Sequence, residues 1–348
     1  MTINYGILED LFKDDSVTEI MINGISKIYF EKYGKIHASD IKFNREQDLN
    51  EFVAGILAFS GKNIDEKIPY ADARLPDGSR VNIIIPPLAI PGPFITIRKF
   101  PKKSIKPEDL ISAGALSRKM LDFLKLGVES KKNIIVSGGT GSGKTTLLNV
   151  LSSFISKNER IVTIEDAAEL NISHEHVCAL EARAPDFNGQ GAVTIRQLLI
   201  NALRMRPDRI IVGECRGGEA LDMLQAMNTG HSGSLTTVHS NSPRDCLKRL
   251  ETMVFMAGYE IPVKTIREQI SSAVNIIVQV ERHRDGVRRI TNISEITGME
   301  GEVITLAPVY EFKKKAGVFG EFGATKVIPK LVEELKSAGT AVDMSMFE

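Results

Sequence analysis

The residues best suited to chemistry lie in one run, Gly138-Gly139-Thr140-Gly141-Ser142-Gly143-Lys144-Thr145, which fits GxxxxGK[ST] at every fixed position. An apolar, strand-like run from Ile134 to Ser137 precedes it, and a helix-forming run from Thr146 to Phe154 follows. Glycines let the backbone wrap closely enough for successive N–H groups to face phosphate oxygens, and the helix start adds a favourable dipole. Lys144 can then neutralise charge on the β- and γ-phosphates, while the Thr145 hydroxyl can ligate Mg2+ and Thr146 completes the cradle. The expected ligands are ATP and magnesium. A chance Gly-rich turn before a helix is the alternative, and the full motif in its strand and helix context argues against it.

Three later segments say what could follow binding. Ile161-Val162-Thr163-Ile164-Glu165-Asp166 is an apolar run ending in two carboxylates. Acids at the carboxyl ends of strands in an open α/β sheet lie where ligands bind, so either can orient a water or hold the metal; standing alone, the segment reads equally well as a solvated acidic loop. Arg209-Ile210-Ile211-Val212-Gly213-Glu214 has the form of a Walker B strand, but Gly213 occupies the place where many NTPases carry a metal-binding Asp. Glu214 is then the one acid at that strand end, and metal binding through water and activation of the nucleophile both stay open. Thr229 to His239 carries Gly-rich polar residues into a short strand that delivers His239. A neutral imidazole there can donate to a γ-phosphate oxygen, although a lone histidine is more often structural.

The elements that must position these groups follow from hydrophobic rhythm. From about Ser117, the runs Ile134 to Ser137, Ile161 to Ile164 and Ile210 to Gly213 alternate with helical stretches. That predicts βαβ units around a mostly parallel sheet. Later, Ile276 to Arg282 and Val287 to Ile296 flank a hairpin signal at Asp285-Gly286, and a final helix is expected from Val327 to Leu335. The first 100 residues read as a smaller α+β domain. There Tyr5, Leu8, Leu11 and Phe12 have helical spacing, Thr18 to Ile22 and Lys27 to Phe30 flank Asn23-Gly24, and Asn44 with Gln47 marks a helix start. Further strands flank Pro76-Asp77-Gly78, and a last one runs from Phe94 to Phe100. Two prolines and three lysines between Pro101 and Pro107 suggest a linker, giving domains at 1–100 and 110–348 joined by 101–109.

Composition narrows the class. Of 348 residues, 43% are hydrophobic and 25% charged, the mix of a globular protein with real cores. Lys plus Arg equals Asp plus Glu at 44 each, so no nucleic-acid footprint is present. No stretch approaches the roughly 20 apolar residues of a membrane span, and no signal-peptide pattern opens the chain. Cys178, Cys215 and Cys246 are odd in number and contain no CxxC pair, which predicts buried thiols, no disulfide framework and no structural zinc. A cytoplasmic setting is expected.

Together the four segments resemble the secretion ATPase superfamily of type II and type IV secretion and type IV pilus motors. Its Walker A loop, Asp box, Gly-Glu Walker B and His box correspond here to Gly138–Thr145, Glu165–Glu169, Ile210–Glu214 and Gly230–His239. Narrower matches at Leu203 to Arg209, Arg216-Gly217-Gly218-Glu219-Ala220, Ala226 to His231, Arg284-Asp285-Gly286 and Gly298-Met299-Glu300-Gly301 look most like the CpaF-type ATPases of tight-adherence (Tad) pili. The zinc module of type II enzymes is absent, and the long N-terminal extension common in CpaF-type proteins is missing or trimmed.

The resemblance implies a RecA-like P-loop NTPase domain behind a smaller α+β N-terminal domain, assembled as a homo-hexameric ring. Nucleotide would sit between the domains, with Arg80 and Arg98 of the first closing over it. Arg183, Arg204 and Arg206 match basic positions of relatives and are further nucleotide-binding candidates. Glu165 is expected to serve the attacking water, Glu214 the magnesium shell, with both acids and Thr145 as metal candidates. The ring would be cytoplasmic, peripheral to the inner membrane and partnered by membrane-embedded platform proteins. Its work would be assembly or retraction of a Tad or type IV-like pilus, or, as the alternative, type IV secretion traffic with another cargo. A nucleic-acid motor is disfavoured by the charge balance and the Gly-Glu and His-box segments, and a scaffold without turnover by the presence of Glu165 and Glu214.

Overall fold

Apolar residues alternate along the strands of the first hundred residues, and that alternation decides which face of their sheet is covered. The computed structural model describes residues 3–90, 92–100, 105–185, 189–315 and 318–348, in two units, Met1–Lys103 and Ser104–Glu348. The first unit contains α1 (Glu9–Lys13), β1 (Val17–Asn23), β2 (Lys27–Lys32), β3 (Lys35–Ala38), α2 (Glu46–Ser60), β4 (Tyr70–Arg74), β5 (Arg80–Ile84) and β6 (Phe94–Arg98). The strands form an antiparallel sheet in the order β3-β2-β1-β6-β5-β4. Ile20, Ile22, Ile28, Val81, Ile83, Ile95 and Ile97 are buried in one cluster with Leu49, Phe52, Val53 and Ile56 of α2. The Asn23-Gly24 turn joins β1 to β2, with Gly24 at φ 68° as that turn requires. Helix α2 begins one residue later than Asn44 and Gln47 suggest, because the Asp48 carboxylate accepts from the Arg45 N–H.

The second unit contains α3 (Pro107–Ser112), α4 (Arg118–Glu129), β7 (Ile134–Gly138), α5 (Lys144–Ser152), β8 (Ile161–Glu165), β9 (Val177–Glu181), α6 (Ile195–Ala202), β10 (Arg209–Cys215) and α7 (Glu219–Asn228). It continues through β11 (Leu235–Val238), α8 (Pro243–Phe255), α9 (Val263–Ala273), β12 (Ile276–Arg282), β13 (Arg288–Glu300), β14 (Val303–Lys315), β15 (Val318–Ala324) and α10 (Lys330–Ser337). Residues 101–104 of the expected linker lie outside the described residues, and 107–109 form the first turn of α3, where proline is well suited.

The sheet order is β15-β14-β13-β12-β7-β11-β10-β8-β9. The run from β12 to β9 is parallel, and β13 to β15 extend it antiparallel. Successive residues of the parallel strands enter opposite cores: Ile134, Val136, Ile161 and Ile211 pack with α4 and α5, whereas Ile135, Val162, Ile210 and Val212 pack with α6 to α9. Burial on both faces is why these strands read as continuous apolar runs. The thiols of Cys215 and Cys246 are buried and pushed up to about 12 by desolvation, but Cys178 is only half-buried, against the expectation for all three.

Candidate nucleotide site

Parallel strands deliver their carboxyl ends to one edge of the sheet. Here that edge receives Gly138 from β7, Glu165 from β8, Glu214 from β10 and His239 directly after β11. Between β7 and α5, Gly141 and Gly143 adopt φ of 67° and 97°, which the tight wrap demands and side chains resist. Gly138 has no room for a side chain, since a Cβ would lie 2.5 Å from both the Val280 carbonyl and the Ser142 hydroxyl. Lys144 donates to the Gly139 carbonyl at 3.1 Å and stands 3.9 Å from Glu214 Oε1. Burial holds its ammonium below the usual lysine range, with Glu214 opposing that shift. Thr145 and Thr146 occupy the first turn of α5, both half-buried. Arg288 of β13 donates to the Gly141 carbonyl at 2.9 Å and so buttresses the loop from the far side.

The register of β10 against β11 shifts between Val212 and Cys215, placing a bulge at Gly213-Glu214. Such bulges re-aim side chains beside active sites. Thr237 pins it by donating to the Gly213 carbonyl at 2.7 Å. The glycine there has a local cause: a Cβ on residue 213 would sit 2.8 Å from Glu165 Cγ. Glu165 is 3% exposed, and its Oε1 accepts from the backbone N–H groups of Glu169 and Leu170 at 2.9 and 3.0 Å. Its Oε2 is buried without a hydrogen-bond partner, and burial raises its pKa above the ordinary carboxylate range despite those N–H groups. Glu169, named only as the end of the Asp box, acts electrostatically on both Lys144 and Arg216. Arg216 donates to Glu214 Oε2 at 2.8 Å through Nε.

His239 is exposed at this edge, and the next residue joins a buried cluster in which Ser137, Ser240 and Gln279 are hydrogen-bonded. The cluster ties the end of β11 to β7 and β12 directly beneath the loop. Arg183 follows edge strand β9, four strand spacings or about 19 Å from β7, and donates to the Gly191 carbonyl at 2.6 Å. Arg204 and Arg206 stand apart from the loop within one chain. They precede β10 and therefore lie at the amino end of the sheet, a strand length of about 17 Å or more from the loop in the same chain. A motif match gives residue type but not strand polarity. In the first unit, Arg80 lies directly opposite Arg98 in the β5–β6 ladder and opposite Arg74 in β4–β5, on the face away from the core. Arg98 is 3.7 Å from Glu19.

The type II/IV secretion system protein family matches residues 3–295. The chain belongs to this family. A putative conjugal transfer protein of Mycobacterium tuberculosis is 34% identical over 304 residues, 86% of each chain. The PtlH homologue of the Bordetella bronchiseptica type IV secretion system is 36% identical over 300 residues, covering 78% of this chain and 88% of its own. Among solved structures, the pilus retraction motor PilT with bound ADP is similar in fold at a TM-score of 0.58 and 19% identity, covering 100% of this chain and 92% of that one. The fold of the secretion-family chain is thus the RecA-like P-loop fold.

Magnesium typically takes one or two carboxylates and keeps waters and phosphates as its other ligands. Thr145 and Glu214 would be the groups to hold such an ion here, and no group of three His, Cys, Asp or Glu suited to a metal exists among the described residues. Arg216, Glu169 and Arg288 are the groups to which sequence reasoning gave no role at this site. The place of Arg216 two residues after Glu214 is the local signal that could have drawn attention to it.

Proposed function

We propose that this secretion-family chain hydrolyses ATP with magnesium and, as a ring of six copies, converts turnover into assembly or retraction of a Tad or related type IV-like pilus. The observation that carries the enzymatic part is Lys144 within 3.9 Å of Glu214 at the edge where four parallel strands end. In this reading the loop N–H groups and Lys144 bind the β- and γ-phosphates, and Thr145 and Glu214 hold magnesium, which neutralises charge developing on the transferred group. Glu165 receives the proton of the attacking water. One of its oxygens is fixed on the loop, the other is a buried acceptor without a partner, and its raised pKa suits a base. His239 donates to the γ-phosphate, and Arg80 and Arg98 supply guanidinium groups to the same anion.

Among the described residues no helix is long and apolar enough to cross a membrane, which supports a peripheral place beneath membrane-embedded platform proteins. The motif matches at Arg216 to Ala220 and Ala226 to His231 favour the pilus reading. The names of the conjugal transfer and PtlH relatives favour the second reading, type IV secretion traffic. Magnesium-dependent ATP turnover of the purified chain tests the enzymatic part, with Lys144→Ala as the inactive control; equal turnover in both would refute the site. Mass photometry with and without nucleotide tests the ring. Arg98→Ala and Arg80→Ala should cut turnover steeply while ATP affinity falls modestly. Neighbouring genes for pilin and platform proteins support the first cargo, and genes for a conjugation channel the second.

A further inference from the structure

Arg216 directly follows β10, two residues after Glu214, with Cys215 buried between them. The Arg216 side chain turns back toward Glu214. Its Nε and Nη2 lie 2.8 and 2.6 Å from Glu214 Oε2, and its Nη1 is 3.5 Å from Asp166 Oδ2. Glu214 Oε1 is 3.9 Å from Lys144 Nζ. The two oxygens of one carboxylate therefore face two different cations, and a continuous line of charge, Lys144–Glu214–Arg216–Asp166, joins the phosphate loop to β10 and to the loop after β8.

The backbone that projects Arg216 is anchored from two sides. Its own N–H and that of Gly217 donate to Glu219 Oε1 at 2.6 and 2.9 Å. Gly218 is pressed so closely on the α8–α9 connection that a Cβ would lie 2.8 Å from Ala257 Cα. The turn cannot slide without losing both supports. Arg216 is 64% exposed and Asp166 65%, so that pair alone contributes little. The contact with Glu214, whose side chain is 23% exposed, is the one with consequences for chemistry.

We infer that Arg216 is a positioning residue for Glu214: it holds Oε2, so that Oε1 is presented to the phosphate-loop side, and it ties that orientation to Asp166. This rests on the ATPase reading above. An isolated carboxylate at a strand end can rotate, and either oxygen can then be presented. A guanidinium with two donors on one oxygen removes that freedom, which a lysine, as a single compact charge, does less well. Partners that orient a metal-binding group typically affect metal affinity or activity by about 10- to 100-fold.

The test compares kcat, magnesium half-saturation and ATP affinity without magnesium in full-length Arg216→Ala, Arg216→Lys and Asp166→Asn. Arg216→Ala should lower kcat by at least about 10-fold and raise the magnesium requirement, with ATP affinity changed by less than about twofold. Arg216→Lys should recover part of the loss, and Asp166→Asn should move in the same direction by less. Should Arg216→Ala fail to fold, Arg216→Gln is read by the same criteria. Parental or faster turnover with an unchanged magnesium requirement overturns the inference. Glu214→Gln and Lys144→Ala run beside these variants: parental rates there refute the ATPase site itself, whereas their loss beside an unaffected Arg216→Ala refutes only the role of Arg216.

Discussion

The two edges of the large sheet use polar residues in opposite ways. At the amino edge, Arg209 is 0% exposed, paired with Glu159, and donates to the carbonyls of Val128 and Gly233 at 2.9 and 3.2 Å. Beside it, Asn133 Oδ1 accepts from the N–H groups of Gly233 and Ser234, and its Nδ2 donates to the Ala273 carbonyl at 2.6 Å. These hydrogen bonds lock strand starts together. At the carboxyl edge, Glu165 Oε2 is buried without a partner, Lys144 is held by a carbonyl of its own loop, and Glu214 stands between two cations. Satisfied polar networks specify a fold, whereas incompletely satisfied ones mark places where something else binds.

The comparison can be broken most directly at Arg209. Arg209→Met removes the buried guanidinium from Glu159, leaving it only the 3.6 Å contact with Lys131, and strips two buried carbonyls of their donor, a loss of about 3–5 kcal/mol. Chemical unfolding should report that loss, while the folded fraction keeps its ATP affinity; a variant as stable as the parent would show that the amino edge is not a lock. At the other edge, Glu214→Gln should leave ATP bound and cut turnover by about 10²-fold or more, with stability little changed. Should unfolding show Glu214→Gln to cost as much as Arg209→Met, the division between edges fails.

Gly213→Ala sharpens the contrast, because it places a methyl group against Glu165 without touching Glu214. Overpacking of this kind costs about 1–3 kcal/mol, and turnover should fall with it as Glu165 is displaced. Normal turnover in that variant would mean that Glu165 acts only on its loop.

The smallest effect is one of pH. Burial raises the Glu165 pKa, so the folded chain binds that proton more tightly than the unfolded chain. Its contribution to stability is therefore present below the ordinary carboxylate range and lost as pH rises through the raised value. Glu165→Gln should flatten the melting temperature over that window and melt slightly higher than the parent at neutral pH, even as turnover falls. An identical pH slope in both proteins would place the sensitivity elsewhere, with Glu295, whose pKa burial also raises, as the next group to change.

Much of this organisation is legible from residues alone, and the limits have physical causes. The phosphate loop could be read because its motif, the strand before it and the helix after it are all local. The parallel strands announce themselves because two-sided burial leaves no polar positions in Ile134 to Val136 or Ile210 to Val212. Strands β14 and β15 went unread although each pairs antiparallel with the strand just before it in sequence. The start of α2 was misplaced by one residue because Asn44 and Asp48 offer competing caps. Arg209 looked like nothing more than the first residue of a strand, since its partners Glu159 and Gly233 are distant in sequence. The polarity of β10, which places Arg204 and Arg206 at the amino edge, could have been read from their place before that strand.

The contact between residues 165 and 213 also limits how this site can change over time. A side chain at 213 and the present conformation of Glu165 exclude each other, so an aspartate cannot arise at 213 by a single substitution without displacing its neighbour. The two positions are expected to drift as a pair, a shorter residue at 165 coming before or with any acid at 213. Where Glu is kept at the first position, glycine is the expected companion at the second.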